Sequence, residues 1–208
     1  LIAAILILTI VVIRNRRRDV RREELIQEIE PEIVPALEEI SAYYSYSHYI
    51  TESERIALNE KYEVLGEKLK KVCGTRQLQR STVYESAERL YKALHSTKDF
   101  KKENNSQFIR HELESNKGYF DTVLKHPLDA QQREAIVSLE DNVLVISSAG
   151  SGKTMTTVGK VRYLVDKQGV DPSKILLITF TRKAAESLSE RLGEKTLRCV
   201  TFHKLALD

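Results

Sequence analysis

The 208-residue sequence contains few cysteine, glycine, proline and aromatic residues. Its two cysteines, Cys73 and Cys199, are far apart and outside any CxxC pair, so the sequence predicts neither a zinc site nor a disulfide framework. Eight glycines and four prolines exclude the collagen-like and low-complexity classes. With 41% hydrophobic residues the chain can form a globular core, and free thiols suit a reducing compartment.

Net charge is also small, at +3, and it is unevenly distributed. The stretch from Arg14 to Arg22 holds six arginines and one aspartate, whereas the rest of the chain is slightly acidic. The overall charge is therefore weak evidence for nucleic-acid binding.

An apolar run opens the chain, and Thr9 is the only polar residue between Leu1 and Ile13. The arginines follow this run, which is the reverse of a cleavable signal peptide, and the leucine at position 1 indicates a cut from a longer sequence. We therefore expect residues 1–13 to be a truncated membrane anchor with its arginine flank on the cytoplasmic face of the cell membrane. The alternative is a buried helix or strand with a solvated basic tail in a cytoplasmic protein.

Residues 14–126 are predicted to form a helical, coiled-coil-like extension. Apolar side chains recur at steps of three and four in three stretches, which places each set on one face of a helix. The first two stretches flank Gly74 and should pack as an antiparallel hairpin. Pro31 and Pro35 are expected to interrupt any long helix that descends from the membrane. The three sets are Leu58, Tyr62, Leu65, Leu69 and Val72; Val83, Ala87, Leu90 and Leu94; and Ile109, Leu113, Phe120 and Leu124.

Four tyrosines, at positions 43, 44, 46 and 49, form a local cluster. Aromatic side chains can stack on the bases of single-stranded nucleic acid. No lysine or arginine is interleaved with these tyrosines, so the sequence favours an amphipathic packing surface instead.

After the boundary expected at His126 and Pro127, short apolar runs alternate with helical stretches. Strands are predicted at residues 142–148, 175–180 and 197–201, with helices at 153–167 and 183–192 between them. This βαβαβ order predicts an α/β fold with a parallel, helix-covered sheet over residues 127–208.

The segment from Ser147 to Thr154, SSAGSGKT, lies between a predicted strand and a predicted helix. In that position a glycine-rich turn can surround phosphate oxygens with backbone N–H groups. Lys153 can then reach the β- and γ-phosphates, and the Thr154 hydroxyl can bind Mg²⁺, so these two residues are the predicted catalytic pair. Backbone contacts to ATP are expected from Ala149, Gly150, Ser151 and Gly152.

Three further motifs in the expected order resemble the UvrD/Rep family of superfamily-one helicases, and within it the helicase IV group. That group carries a helical amino-terminal extension. Its phosphate-binding loop often lacks the first glycine of the usual pattern, and here Ser147 stands at that position. Residues 128–136, LDAQQREAI, resemble the family's Q motif, which implies that Gln132 binds adenine. Asp129 and Gln132 also form a capping box, so Gln132 could serve both purposes.

Residues 178–185, ITFTRKAA, resemble motif Ia, and residues 201–203, TFH, resemble motif Ib. In the family both loops contact single-stranded nucleic acid. The resemblance thus implies contacts from Thr179, Phe180, Thr181, Arg182 and His203. An aromatic ring for stacking, hydroxyls and a cation suit that role.

The resemblance implies a RecA-like P-loop NTPase that uses ATP and Mg²⁺ as a helicase or translocase on single-stranded DNA or, less favoured, RNA. Later family motifs would follow Asp208, so this fragment alone is expected to be inactive. Two alternatives stay open. One is a helicase-like ATPase that remodels RNA polymerase, and the other is a membrane-tethered, nucleotide-sensing scaffold.

Overall fold

The computed structural model describes residues 2–148, 150–193 and 196–207. The chain forms two compact units, Leu1–Ser106 and Gln107–Asp208, and each is described by itself. The division lies inside a helix and before the boundary expected at His126 and Pro127. The second unit starts earlier because the side chains of Ile109 and Leu113 pack against its core.

The first helix, α1, spans Ile2–Tyr43 without a break, so the prediction that Pro31 and Pro35 interrupt it is wrong. A proline inside a helix removes a backbone donor and costs roughly 3 kcal/mol. Burial of one large aliphatic side chain contributes about 1.5–3 kcal/mol, and α1 buries several around the two prolines, so packing outweighs their cost. The buried residues of α1 are Ile26, Ile29, Ile33, Ala36 and Ile40.

The first unit is completed by helices α2 (Glu52–Lys61), α3 (Glu63–Val72), α4 (Arg76–Gln79), α5 (Tyr84–His95) and the first half of α6 (Thr97–Ser115). Helices α3 and α5 pack against each other and against α1, and the first two predicted apolar faces join the buried face of α1 in one core. These two sets are confirmed as core. The first of them is shared by two helices, since the chain is interrupted at Tyr62.

Two of the four clustered tyrosines, Tyr43 and Tyr44, serve packing in this unit, whereas Tyr46 is 50% exposed. Tyr43 and Tyr44 lie against the core with their rings edge to face at 5.4 Å. Two buried asparagines of α6 hold the loop that follows α1 in place. Asn104 accepts a hydrogen bond from Tyr46 N at 2.8 Å, and the Asn105 amide bonds to both the N–H and the C=O of Ile50 at 2.8 Å.

The membrane-spanning anchor expected at residues 1–13 is not found. Among the residues that the structure describes, no helix has a stretch long and apolar enough to cross a bilayer. Residues 2–13 form the exposed start of α1 instead.

The second unit contains the end of α6, further helices, a 3₁₀ turn (Pro172–Lys174) and two strands. Strand β1 (Leu176–Thr179) pairs in parallel with β2 (Arg198–Thr201), and Thr179 lies opposite Thr201. The parallel pairing and the two helices that follow β1 and β2 confirm an α/β arrangement for this part of the chain. The helices are α7 (Lys117–Thr122), α8 (Ala130–Val137), α9 (Lys153–Asp166), α10 (Arg182–Leu192) and α11 (Phe202–Leu205).

The strand predicted at residues 142–148 is wrong for this structure. These residues, all described, form no strand, and Leu144 and Ile146 are 84% and 86% exposed. An apolar run becomes a strand only when a neighbouring strand satisfies its backbone donors and acceptors. In the described part of the chain β1 and β2 pair only with each other, so the sheet has two strands rather than three.

Helix α9 is central to the second unit because its side chains belong to two hydrophobic clusters. Tyr163 packs with residues of α7 and α8, and its hydroxyl donates to Glu112 Oε2 at 2.6 Å. Val158 and Val161 pack with Leu192 and Leu197, next to α10 and the sheet. The helix that begins at Lys153 is therefore fixed along its length.

Candidate nucleotide and nucleic-acid site

The phosphate-binding loop has the backbone geometry that its glycines predict. Gly150 and Gly152 adopt positive φ angles of 79° and 88°, in the region that favours glycine. Ser151 Oγ donates to Ser148 O at 2.8 Å and closes the turn. The predicted ligand Ala149 lies outside the described residues.

Lys153 and Thr154 occupy the first turn of α9. The Lys153 ammonium donates to the carbonyls of Ser147 at 3.0 Å and Ser148 at 2.7 Å, so it lies over the loop. Gly152, the N-cap residue of α9, has no side chain to bond the first N–H groups of this helix. Those donors, the positive helix end and the ammonium suit a polyphosphate.

Magnesium would depend on few protein ligands here. The Thr154 side chain is exposed at the helix start, where its hydroxyl can bind a cation that a phosphate also holds. Mg²⁺ commonly keeps several waters and uses one or two protein ligands with phosphates. Elsewhere in the described ranges no group of three or more His, Cys, Asp or Glu side chains could hold a metal. The residues present therefore fit a Mg²⁺–nucleotide complex.

Gln132 serves as a helix cap beside the loop. Asp129 accepts a hydrogen bond from Gln132 N at 2.8 Å, and the Gln132 side chain accepts one from Asp129 N at 3.0 Å, so the predicted capping box is confirmed. Its Nε2 also donates to Ser151 O at 3.4 Å. A Cβ added to Gly152 would lie 2.6 Å from the same nitrogen. The cap thus holds the Gln132 amide against the phosphate-binding loop.

Lys160 is a positioning residue that the motifs do not indicate. It lies on α9, and its Nζ donates to the carbonyls of Ile136 at 2.6 Å and Ser138 at 2.7 Å. These carbonyls belong to the carboxyl end of α8, whose other end carries Gln132. Burial lowers the pKa of Lys160 to about 8. The only sequence signal is a lysine among the apolar residues of α9, two turns after Lys153.

Residues of the two predicted strand-binding motifs line one groove. Phe180 and Arg182 follow β1, and Thr201 and His203 lie at the end of β2, so parallel pairing brings them to the same sheet edge. Phe180 is 96% exposed, which excludes a core role for its ring. The prediction that these residues meet at the carboxyl ends of neighbouring strands is confirmed. Contact with nucleic acid stays a prediction.

The threonine hydroxyls of the two motifs have structural partners, and of these threonines Thr201 lines the groove whereas Thr179 and Thr181 do not. Thr179 Oγ1 donates to Thr181 O at 3.0 Å. Thr181 Oγ1 accepts from Ala184 N at 3.2 Å as the N-cap of α10, and Thr201 Oγ1 accepts from Lys204 N at 3.2 Å as the N-cap of α11. Each N-cap hydroxyl still carries a proton that it can donate to a phosphate.

Charges of both signs line the same groove. Arg182, His203 and Lys204 contribute basic groups, while Glu186 and Glu190 of α10 contribute carboxylates. A strand's phosphates would be attracted to the basic groups and repelled by the carboxylates. The exposed Phe180 ring offers an uncharged surface for a base.

Neither of the two cysteine thiols is a candidate nucleophile. Burial raises the pKa of Cys73 to about 12 and also raises the pKa of Cys199. Both are therefore poor thiolates at neutral pH.

Comparison with known proteins agrees with this site. Residues 128–208 match the family described as UvrD/REP helicase N-terminal domain. A probable DNA helicase II homolog of Mycoplasma capricolum is 46% identical over 69 residues, which cover 33% of this chain and 10% of that protein. DNA helicase IV of Escherichia coli is 40% identical over 93 residues, covering 43% and 14%.

The ATP-dependent DNA helicase PcrA of Staphylococcus aureus is 34% identical over 91 residues, covering 41% of this chain and 12% of that helicase. The chain thus spans less than a sixth of the length of each of these relatives. The family match includes Gln132, the phosphate-binding loop and both strand-end motifs. Residues 128–208 of this chain are therefore similar to the amino-terminal domain of UvrD/REP helicases.

Proposed function

We propose that this chain is part of an ATP- and Mg²⁺-dependent translocase or helicase that moves along single-stranded nucleic acid. DNA is the favoured strand because the relatives are named as DNA helicases. The observation that carries the proposal is the placement of two sites on one packed unit. The phosphate-binding loop begins α9, and the groove residue Arg182 begins α10.

At the nucleotide site, Lys153 exchanges its two carbonyl contacts for the β- and γ-phosphates, which offer full negative charges instead of dipoles. The backbone N–H groups of residues 150–152 surround the phosphates, and the Thr154 hydroxyl binds Mg²⁺. The Gln132 amide, already held beside the loop, contacts adenine. Hydrolysis of ATP is proposed for the whole protein, in the RecA-like arrangement that the family resemblance implies.

At the groove, the Phe180 ring stacks on a base, and Arg182 pairs with a phosphate. His203 and the hydroxyls of Thr179 and Thr181 add polar contacts. Helices α9 and α10 share one hydrophobic cluster, to which α10 contributes Leu188 and Leu192 near its end. A shift of α9 on nucleotide binding would therefore move α10, which carries Arg182 at its start. This shared packing supports coupling between the two sites.

The test measures affinity for a fluorescein-labelled oligo-dT strand by anisotropy over a range of salt concentrations. Phe180→Ala should cost about 1–3 kcal/mol, the usual magnitude for one base–aromatic stack. Arg182→Ala should instead reduce the slope of log affinity against log salt by about one phosphate contact. Lys174→Ala removes an exposed charge outside the groove and serves as the control.

Strand affinity that is unchanged in Phe180→Ala would overturn the role of this groove. An oligo-U strand under the same conditions distinguishes DNA from RNA as the preferred substrate. Wild-type affinity that changes when Mg²⁺ and a non-hydrolysable ATP analogue are added would support coupling, and equal affinity with and without nucleotide would count against it.

A further inference from the structure

The start of α1 has an apolar surface that the described residues leave uncovered. Nine large aliphatic side chains between Ile2 and Ile13 are 45–84% exposed. They occupy every side of about three helical turns, whereas further along the same helix Ile26, Ile33 and Ile40 lie on one buried face. A helix that is apolar all round normally lies in a protein core or in lipid.

Beyond the first turn, the polar groups of this segment are satisfied within the helix. Thr9 is its only polar side chain, and the Thr9 hydroxyl donates to Ile5 O at 2.8 Å. The helix continues without interruption into the residues that follow, so its interior N–H and C=O groups are bonded along the axis. Beyond its first turn, such a segment can leave water with its backbone still hydrogen-bonded.

Five of the six arginines that follow lie on one side of α1. Arg14, Arg17, Arg18, Arg21 and Arg22 are spaced at i, i+3, i+4, i+7 and i+8, which corresponds to one face of a helix. The first four are exposed. Arg22 is half-buried and has an ion pair with Asp19 at 3.7 Å.

We propose that residues 2–13 insert into an anionic phospholipid bilayer and that this arginine face binds its headgroups. At about 1.5 Å per residue, residues 2–13 span about 18 Å. A helix of that span extending inward from the headgroup level reaches about the middle of a hydrocarbon core of about 30 Å, so the arginines that follow stay at the headgroups. The proposal is independent of the helicase function.

Other occupants fit these observations less well. Nucleic acid would neutralise the arginines but leave the apolar side chains in water. A second copy packed in parallel would cover the apolar side chains but place two arginine clusters side by side. An anionic bilayer accommodates both the apolar segment and the charge.

The experiment uses the 208-residue chain and vesicles of phosphatidylcholine with and without phosphatidylglycerol. The chain has no tryptophan, so Leu8→Trp introduces a single fluorescent reporter in the apolar segment. Val34→Trp is the matched control, at an exposed position on the same helix beyond the arginines. Vesicle flotation measures binding, and iodide quenching with the emission maximum measures insertion.

We expect Leu8→Trp to shift to shorter wavelength and become protected from iodide with anionic vesicles, and Val34→Trp to do neither. Protection should persist at about 1 M salt, where the Debye length falls to about 3 Å and headgroup attraction is screened. Leu6→Asp with Ile10→Asp should lower vesicle binding by roughly tenfold or more, since aspartate is strongly unfavourable in hydrocarbon. Because these side chains lie outside the core, the fold should be retained, as circular dichroism would check.

Arg17→Gln with Arg18→Gln should reduce the preference for anionic over neutral vesicles. Once that chain is bound, the fluorescent reporter at position 8 should still be protected from iodide. Release of the chain by salt without iodide protection would overturn the proposal, because the contact would then be electrostatic only. The same holds if the blue shift already appears without vesicles and accompanies a concentration-dependent dimer, since a second copy would then be the occupant.

Discussion

The two glycines of the phosphate-binding loop provide a matched pair of variants that tests its geometry. Both adopt positive φ angles, so alanine at either position should cost about 1–2 kcal/mol of backbone strain. At Gly150 an added Cβ meets no described atom within 4 Å, whereas at Gly152 it would lie 2.6 Å from Gln132 Nε2. The two substitutions therefore share a backbone cost and differ in one contact.

The extra cost at Gly152 can be worked from the hydrogen bonds of Gln132. Relief of the overlap requires the Gln132 Nε2 atom to move away, which breaks its long bond to Ser151 O. Loss of one such bond costs about 0.5–1.5 kcal/mol. Gly152→Ala should lower the free energy of unfolding by about 1.5–3.5 kcal/mol and Gly150→Ala by about 1–2 kcal/mol.

The assay is hydrogen–deuterium exchange of peptides from residues 107–208 over a urea series, which reports the stability of the second unit separately. Each variant is measured with Gln132 and with Gln132→Ala, which removes the colliding amide. The difference between the two glycine variants should disappear in the second background. Equal costs in the native background, or a difference that survives Gln132→Ala, would refute the contact between Gln132 and Gly152.

Three further predictions concern other contacts. Lys160→Met keeps the apolar stem but leaves two carbonyls at the end of α8 without their donor, so it should cost about 1–3 kcal/mol in urea unfolding of the second unit; an unchanged midpoint would contradict this role. Asn105→Leu leaves two buried backbone groups unpaired in the first unit and should cost about 2–5 kcal/mol, whereas a variant as stable as the wild type would show that the loop has other support. Hydrogen bonds from Arg55 and then Lys101 lower the pKa of Glu52 to about 2. The contribution of the ionised Glu52 to the free energy of unfolding should be complete above about pH 4.5 and be lost as pH falls through about 2. Glu52→Gln should flatten that part of the curve of stability against pH, and an unchanged curve would contradict a contribution from the two ion pairs.

Much of this structure follows from local sequence signals. Steps of three and four identify Leu69, Ala87 and Phe120 as core residues, because side chains at that spacing lie on one face of a helix. Asp129 and Gln132 predict a helix start that the structure confirms in both hydrogen bonds. The meeting of the strand-end motifs follows from parallel topology, in which carboxyl ends share one edge.

The errors arise where long-range packing decides the outcome. Pro31 and Pro35 weaken a helix locally, but the core that α1 enters is formed by residues far along the chain. The apolar run at residues 142–148 has strand composition, yet strand formation depends on a pairing partner. The role of Lys160 could not be predicted from the sequence, because a lysine among apolar residues has no fixed sequence spacing to the carbonyls that it binds.

Binding of a Mg²⁺–nucleotide complex at Lys153 is the central claim, and titration calorimetry on the 208-residue chain tests it most directly. A non-hydrolysable ATP analogue with Mg²⁺ should bind at one site. Lys153→Ala should weaken binding by roughly 10- to 150-fold, since a charged hydrogen bond contributes about 1.5–3 kcal/mol, and the exposed-lysine control Lys174→Ala should bind like the wild type. Equal affinity of wild type and Lys153→Ala for the analogue would contradict the account.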